Sequence, residues 1–137
     1  MKKLFSIMIL PLMLILLTSC GQTNEIKVKE GENMASYVSI TAEEAKEIMD
    51  TESGYVILDV RTEEEFSEGH IPGAILIPDY EIGEKAQEVL KEKDRMILVY
   101  CRSGRRSKLA ADALAKLGYT NIKEFGGIID WPYEIEK

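Results

Sequence analysis

The sequence predicts an α/β domain with a mainly parallel central sheet of about five strands and helices on both faces. Short apolar runs alternate along the chain with helical patterns, which is the order that βα crossovers produce. Residues 55–60, 74–78 and 95–100 are almost continuously apolar, as expected when both faces of a parallel sheet are covered. The chain has 137 residues, a length that fits one core.

The first predicted elements are a short strand, a capped helix and a second strand. Residues 37–40, "YVSI", form the first strand candidate. Thr41 and Glu44 then form a capping box at the start of a predicted helix over residues 42–50. Residues 55–60, "YVILDV", follow as a buried strand.

The later elements repeat this alternation. The strand at residues 74–78 precedes a helix near residues 80–92, and the strand at residues 95–100 precedes a helix over residues 105–117. Residues 121–125, "NIKEF", are the last predicted strand. Ligand sites of parallel α/β sheets lie beyond the carboxyl ends of the strands, so the residues after position 100 are the first candidates for a site.

Residues 1–19 have the pattern of a secretory signal peptide and are expected to be removed. Lys2 and Lys3 precede an apolar run of 14 residues that is interrupted only by Ser6 and Pro11. This run is shorter than the roughly 20 apolar residues that a stable membrane-spanning helix needs.

Residues 17–20, "LTSC", resemble the bacterial lipobox, in which small residues precede a cysteine that is diacylated and becomes the new N-terminus. The alternative is an ordinary signal peptide with an incidental cysteine. We expect Cys20 to carry the lipid, because two or three acyl chains form a stable anchor. Residues 20–36 are then a lipidated cysteine with a polar tether, and residues 37–137 are a domain held outside the cytoplasm on a bacterial membrane.

Charge and cysteine content exclude several classes of partner. The chain has a formal charge of -7, and loss of residues 1–19 leaves 15 basic against 24 acidic side chains, so no nucleic acid is expected to bind. With Cys20 lipidated, Cys101 is the only free thiol of the two cysteines, and no disulfide can form. One histidine and one free cysteine cannot build a zinc or iron site, so we expect no metal and no other cofactor.

Residues 99–107, "VYCRSGRRS", concentrate positive charge around this thiol. Three arginines follow Cys101 within five residues: Arg102, Arg105 and Arg106. Positive charge, backbone amides and the N-terminal end of the next helix all favour a thiolate. The alternative is an inert buried cysteine beside a solvated basic patch. The position at a strand end, and cations crowded where they oppose the helix dipole, favour a nucleophile instead.

Three blocks of the sequence resemble the rhodanese family of sulfurtransferases. Residues 58–75, "LDVRTEEEFSEGHIPGAI", resemble the family's D-x-R, acidic helix and G-H-I-P-G-A signature. Residues 99–107 resemble its active-site loop, and residues 126–131, "GGIIDW", resemble its closing Gly-Gly and Trp element. The three blocks occur in the family's order, and the resemblance extends over residues 37–131.

The resemblance implies a rhodanese-like fold and a persulfide mechanism. The Cys101 thiolate would take the outer sulfur of a donor such as thiosulfate, release sulfite and pass the sulfur to a thiol or cyanide. The loop amides would point at the sulfur, with Arg102 and Arg106 as the main ligands of the donor's oxyanion. The substrate-binding residues that the resemblance implies are Arg102, Ser103, Gly104, Arg105 and Arg106.

Two other functions stay open at this point. Rhodanese-like phosphatases and arsenate reductases place five residues between cysteine and arginine, but that position is Ser107 here, and Arg106 closes a six-residue loop. A rhodanese fold that only binds anions or presents a persulfide to a partner is the second alternative. A disulfide reductase is disfavoured, because no second thiol remains to resolve a mixed disulfide.

Several conspicuous residues are interpreted as structural. A thiolate that is already formed needs no general base, so the one histidine is expected to fix a turn. The roles that we assign are a turn for His70, an internal ion-pair network for Asp59 and Arg61 with Glu64 or Glu65, and core positions for Phe125 and Trp131.

Overall fold

Every strand that the sequence predicts is present in the computed structural model, which describes residues 36–137. The strands are β1 (Val38–Ser39), β2 (Val56–Asp59), β3 (Ile75–Leu76), β4 (Ile97–Cys101) and β5 (Ile122–Gly127). They form one sheet in the order β1-β5-β4-β2-β3, and every pairing in it is parallel. The predicted α/β class is therefore confirmed.

Four helices connect the strands of the described part of the chain. They are α1 (Ala42–Thr51), α2 (Glu63–Glu68), α3 (Ile82–Val89) and α4 (Arg105–Lys116), with 3₁₀ turns at Asp79–Glu81 and Ile128–Asp130. The predicted capping box of α1 is confirmed, since the Thr41 hydroxyl accepts from the Glu44 amide and the Glu44 carboxylate accepts from the Thr41 amide. Helix α2 begins with the same kind of box, formed by Thr62 and Glu65.

The helices pack on both faces of the sheet, which explains why the central strands are continuously apolar. Leu58 and Val99 face the layer of α3 and α4, while their neighbours Ile57 and Leu98 face the layer that contains α1. Phe125 and Trp131 are buried in this second layer, as the sequence predicts. Truncation of a fully buried leucine such as Leu98 to alanine costs about 2–5 kcal/mol.

Strand β4 lies between β5 and β2 and is the central strand, so the residues after its carboxyl end lie in the middle of that end of the sheet. Helix α4 begins four residues after the strand ends and returns across the sheet. The expected signal peptide and Cys20 lie outside the described residues. Within residues 36–137, no helix combines the length and apolar character that crossing a bilayer requires.

Candidate active site

Cys101 is the last residue of β4, and its side chain is only 1% exposed. The loop that follows leads directly into α4, a helix of 12 residues, so the sulfur lies near the positive end of this helix. The backbone N–H of Gly104 donates a hydrogen bond of 3.0 Å to the sulfur. The amide and the helix end both favour negative charge on Sγ.

Two glycines make this loop possible. Gly104 has a φ of 103°, in the left-handed region that favours glycine. A Cβ at Gly127 would lie 2.0 Å from the carbonyl oxygen of Arg102, so a side chain there would collide with the loop backbone. The backbone N–H of Ile129 donates a hydrogen bond of 3.2 Å to the same carbonyl. The Gly-Gly element at the end of β5 therefore lets the loop backbone after Cys101 approach this neighbouring strand closely.

A chain of hydrogen bonds runs from the thiol to a buried carboxyl group. The Ser107 hydroxyl, in the first turn of α4, lies 3.4 Å from Cys101 Sγ and 2.6 Å from Glu124 Oε1. Glu124 belongs to β5 and is 2% exposed. Its Oε1 also accepts from the Gly126 amide at 2.9 Å, and its Oε2 accepts from the Ser39 hydroxyl at 3.2 Å.

The guanidinium of Arg106 is engaged by a carboxylate of the protein itself. Its Nη1 and Nη2 donate hydrogen bonds of 2.8 Å to the two carboxylate oxygens of Glu65 in α2. These bonds lower the pKa of Glu65 to about 2. The hydrogen bond to Glu65 also raises the pKa of Arg106, and the nearby Cys101 raises it further. The arginine that closes the loop thus connects α4 to α2.

The remaining predicted substrate-binding residues lie on the solvent-exposed side of the loop, which forms its mouth. Arg102, Ser103 and Arg105 are exposed, and in the described part of the chain neither Arg102 nor Arg105 forms an ion pair. Of the predicted site residues, the structure brings Gly104 and Arg106 to Cys101 and leaves these three at the surface. Two positive charges at the surface beside a buried sulfur can attract an anion.

The D-x-R pair lies in the protein interior. Arg61 Nη2 lies 2.6 Å from Asp59 Oδ2 and donates a second hydrogen bond of 2.8 Å to the carbonyl oxygen of Gly69. Asp59 is fully buried and Arg61 is 5% exposed. This pair fixes the end of β2 against the turn that begins at Gly69.

His70 contacts the turn and the C-terminal segment. Its Nδ1 lies 2.9 Å from the Phe66 carbonyl oxygen, and its ring stacks on that of Phe66 with the centroids 3.7 Å apart. Its backbone forms two hydrogen bonds of 2.8 Å with Glu136. These contacts account for the histidine without a role in catalysis.

Sequence reasoning missed three partners in this site. The prediction that Glu64 or Glu65 joins the Asp59–Arg61 network is wrong, because Glu65 pairs with Arg106 and Glu64 is exposed without an ion pair in the described part of the chain. The T-x-x-E spacing of Thr62 and Glu65 is a sequence signal for the start of α2. Ser107 and Glu124 approach the sulfur from α4 and β5. Glu124 follows Lys123 in the strand sequence IKEFGG, and nothing in this pattern reveals that its carboxyl group is buried.

A parallel α/β sheet with a cysteine at the carboxyl end of its central strand, held in a loop of six residues, defines the class of rhodanese-like proteins. The profile of the rhodanese-like domain matches residues 41–132. The chain belongs to the rhodanese-like domain family. The resemblance read from the three sequence blocks is confirmed for the domain, while the lipoprotein signal peptide stays a prediction.

Similar proteins carry names that agree with this assignment. The thiosulfate sulfurtransferase PspE of Escherichia coli is 37% identical over 73 residues, which cover 53% of this chain and 70% of PspE. YrkF of Bacillus subtilis, which is named as a sulfur carrier protein, is 39% identical over 106 residues, which cover 77% of this chain and 56% of YrkF. The chain therefore spans little more than half the length of YrkF.

A solved structure agrees with the fold and the family. The structure described as a rhodanese with anions from E. coli has a TM-score of 0.57 and 34% sequence identity. The match covers 61% of this chain and 98% of that one. The relatives and the solved structure thus agree with the rhodanese-like family and its fold.

Proposed function

We propose that this protein moves sulfane sulfur from thiosulfate or a persulfide donor to a thiol or cyanide acceptor through a persulfide on Cys101. The observation that carries the proposal is the position of Sγ. It lies at the carboxyl end of the central strand, 3.0 Å from the Gly104 amide and at the start of α4. A sulfur in these surroundings is suited to act as an anionic nucleophile.

In the first half-reaction, the Cys101 thiolate attacks the outer sulfur of thiosulfate. The new S–S bond to Sγ forms as the S–S bond of the donor breaks, and sulfite leaves with the electron pair. The product is a persulfide whose terminal sulfur is anionic. The Gly104 N–H, which donates to Sγ, is placed to stabilise this charge.

The donor's oxyanion end is expected to contact Arg102 and Arg105. Both side chains are exposed at the mouth of the loop, whereas the fork of Arg106 is held by Glu65. Arg106 contributes charge to the site from its paired position, and it positions the loop. The small anionic donor is therefore attracted by the two arginines that have no carboxylate partner among residues 36–137.

In the second half-reaction, an acceptor thiolate or cyanide attacks the terminal sulfur of the persulfide. The S–S bond to Cys101 breaks, and the thiolate leaves with its electron pair and is ready for another donor. The two substrates bind in turn, so the kinetics are expected to be of the ping-pong type.

Thiosulfate:cyanide turnover and mass spectrometry of the full chain, measured beside Cys101→Ser, test this proposal. We expect turnover and the gain of one sulfur atom in the original protein, and neither in the variant. Equal rates for both proteins would contradict a role of Cys101 in catalysis. Sulfur gain without turnover would indicate a persulfide-presenting module, and no sulfur gain would indicate a module that only binds anions.

We also propose that Cys20 is lipidated and holds the domain on the outer side of a bacterial membrane. The support is the "LTSC" sequence after a short apolar run. Incorporation of a labelled fatty acid is expected in the original protein and in Cys101→Ala, but not in Cys20→Ala. Label retained by Cys20→Ala would contradict the anchor.

A further inference from the structure

Glu124 is a buried carboxyl group to which the sulfur-transfer scheme assigns no role. It is 2% exposed, and no lysine, arginine or histidine between residues 36 and 137 lies within ion-pair distance of it. A buried carboxylate without a cation is costly unless hydrogen bonds or a proton compensate for the lost water. Only the Ser107 hydroxyl separates its Oε1 from the Cys101 sulfur in the chain of hydrogen bonds, so proton exchange with the site is possible.

Ser107 connects this carboxyl group to the sulfur. Its single hydroxyl proton has a near acceptor in Glu124 Oε1, at 2.6 Å, and more distant ones in the carbonyl oxygens of Gly104 and Gly126, at 3.0 and 3.3 Å. When this proton is donated to Glu124, the Ser107 oxygen can accept from the Cys101 thiol at 3.4 Å. The contacts then form one directed path from S–H through O–H to the carboxylate.

We propose that Glu124 is the internal proton acceptor for Cys101 and that it acts through Ser107. When the thiolate forms, the S–H bond breaks and its proton passes to Ser107 Oγ. The Ser107 O–H bond breaks at the same time, and that proton passes to Glu124 Oε1. No electron is transferred and the net charge of the site does not change. Ser107 contacts the reacting sulfur, whereas Glu124 acts on the sulfur only through Ser107.

Sharing one proton avoids two adjacent negative charges. A thiolate and a carboxylate separated by a single hydroxyl group would repel each other in a buried site, so one of the two groups is favoured in its neutral form. The backbone N–H of Gly104 donates a hydrogen bond of 3.0 Å to Sγ and favours a negative charge there. With the proton on Glu124, the site holds one negative charge before an anionic donor arrives. The inference rests on the proposed role of Cys101 as the nucleophile.

Titratable groups surround the path on several elements. On the side of Glu124, burial raises the pKa of Tyr37, and the charges of Asp112 and Glu124 raise it further, so the phenol stays neutral. On the side of Cys101, the charges that act on Arg106 come from α2 and from the 3₁₀ turn after β3. The charged groups that act on Tyr37 are Asp112 on α4 and Glu124, and those that act on Arg106 are Glu65 on α2, Cys101 and Asp79 in the 3₁₀ turn.

The rate at which iodoacetamide alkylates Cys101 tests the path. The rate is measured on the full chain from about pH 4 to about pH 10, by mass spectrometry of the peptide that contains Cys101. Two groups that interact by more than about one pK unit lose their protons in two macroscopic steps that belong to the pair. We therefore expect two steps in the original protein and one step in Glu124→Gln. Ser107→Ala should also show one step, whereas Ser107→Thr keeps a hydroxyl group and should restore the second.

The same number of steps in the original protein and in both Glu124→Gln and Ser107→Ala would overturn the inference. Ser107→Ala interrupts the path without a change in the carboxyl group. If Glu124→Gln does not fold, the number of steps in Ser107→Ala alone tests the inference. Sulfur gain from thiosulfate is measured on the same samples. If the original protein gains sulfur but shows a single step, only the proton path is wrong. If it gains no sulfur, the proposed function is wrong whatever the pH profile shows.

Discussion

Arg106 and Glu65 face each other through two parallel hydrogen bonds of 2.8 Å, although 41 residues separate them in the sequence. The pair attaches the active-site loop to helix α2, whose first turn is acidic. A two-point contact of this kind fixes direction as well as distance. The acidic block and the cysteine loop, which are far apart in the chain, therefore form one structural unit.

The Arg106–Glu65 pair should stabilise the fold in a pH-dependent way. The pKa of Glu65 is lowered to about 2 in the folded protein from its ordinary 4.5, chiefly by the hydrogen bond from Arg106. Its contribution is thus fully present above about pH 4.5 and is lost as the pH falls through about 2. Because the Glu65 side chain is 24% exposed, we expect Glu65→Gln to lower the free energy of unfolding by only about 1 kcal/mol at neutral pH.

Urea unfolding of the original protein and of Glu65→Gln, from neutral pH downwards, measures this difference. Glu64→Gln removes an equal charge from an exposed position of the same helix and should change stability by less than about 0.5 kcal/mol. A Glu65→Gln difference that stays constant down to pH values near 2 would contradict the assignment.

A side chain at position 127 should damage the loop. In Gly127→Ala, the new Cβ would lie 2.0 Å from the Arg102 carbonyl oxygen, so the loop backbone must move. We expect a loss of about 1–3 kcal/mol in stability, together with at least a tenfold loss of sulfur transfer. Gly83→Ala is the matched control, because its Cβ would meet no atom within 4 Å in helix α3, and it should be neutral or stabilising. Full activity of Gly127→Ala would contradict the close approach.

The exposed arginines should affect donor binding more than the rate of chemistry. Arg102→Gln and Arg105→Gln each remove a positive charge from the mouth of the loop. We expect each to raise KM for thiosulfate about three- to tenfold with little change in kcat, and the effect should shrink at high salt. Lys116→Gln removes the same charge at the other end of α4 and should leave KM unchanged. An equal change in KM for Lys116→Gln would mean that only the overall charge matters.

The Asp59–Arg61 pair should be far more sensitive than a surface pair. Arg61→Leu leaves the fully buried Asp59 without its cation and is expected to cost about 3–5 kcal/mol. Lys46→Leu, which removes the surface partner of Asp50 in α1, should cost less than about 1 kcal/mol. Chemical denaturation of both variants provides the comparison, and similar losses for the two would show that burial does not set the cost here.

The sequence predicted the elements whose residues carry a local pattern. Continuous apolar runs and helix periodicity identified the strands and most helices, because a parallel sheet covered on both faces leaves no polar side to its central strands. Helix α2 has no apolar stripe in its six residues, so only the family resemblance and the capping box at Thr62 indicate it. Cys101 was predicted from its place at a strand end and from its charged neighbours.

The partners of the site residues could not be predicted in this way. Arg106 was expected at the donor, but its carboxylate partner Glu65 comes from a helix 41 residues earlier. Glu124 approaches Ser107 from β5, 17 residues later. Such contacts depend on the packing of whole elements, and the spacing of residues along the chain does not encode them. The roles of Cys20 and of residues 1–35 stay predictions.

The contact of Gly127 with the Arg102 carbonyl has a consequence for biosynthesis. The backbone around the cysteine is supported by a strand that the ribosome makes only after α4 is complete. A nascent chain that stops before this strand therefore has the nucleophile in its sequence but no finished pocket around it. Premature termination anywhere within the six residues of β5 should yield a product whose thiol is no longer enclosed and is open to oxidation.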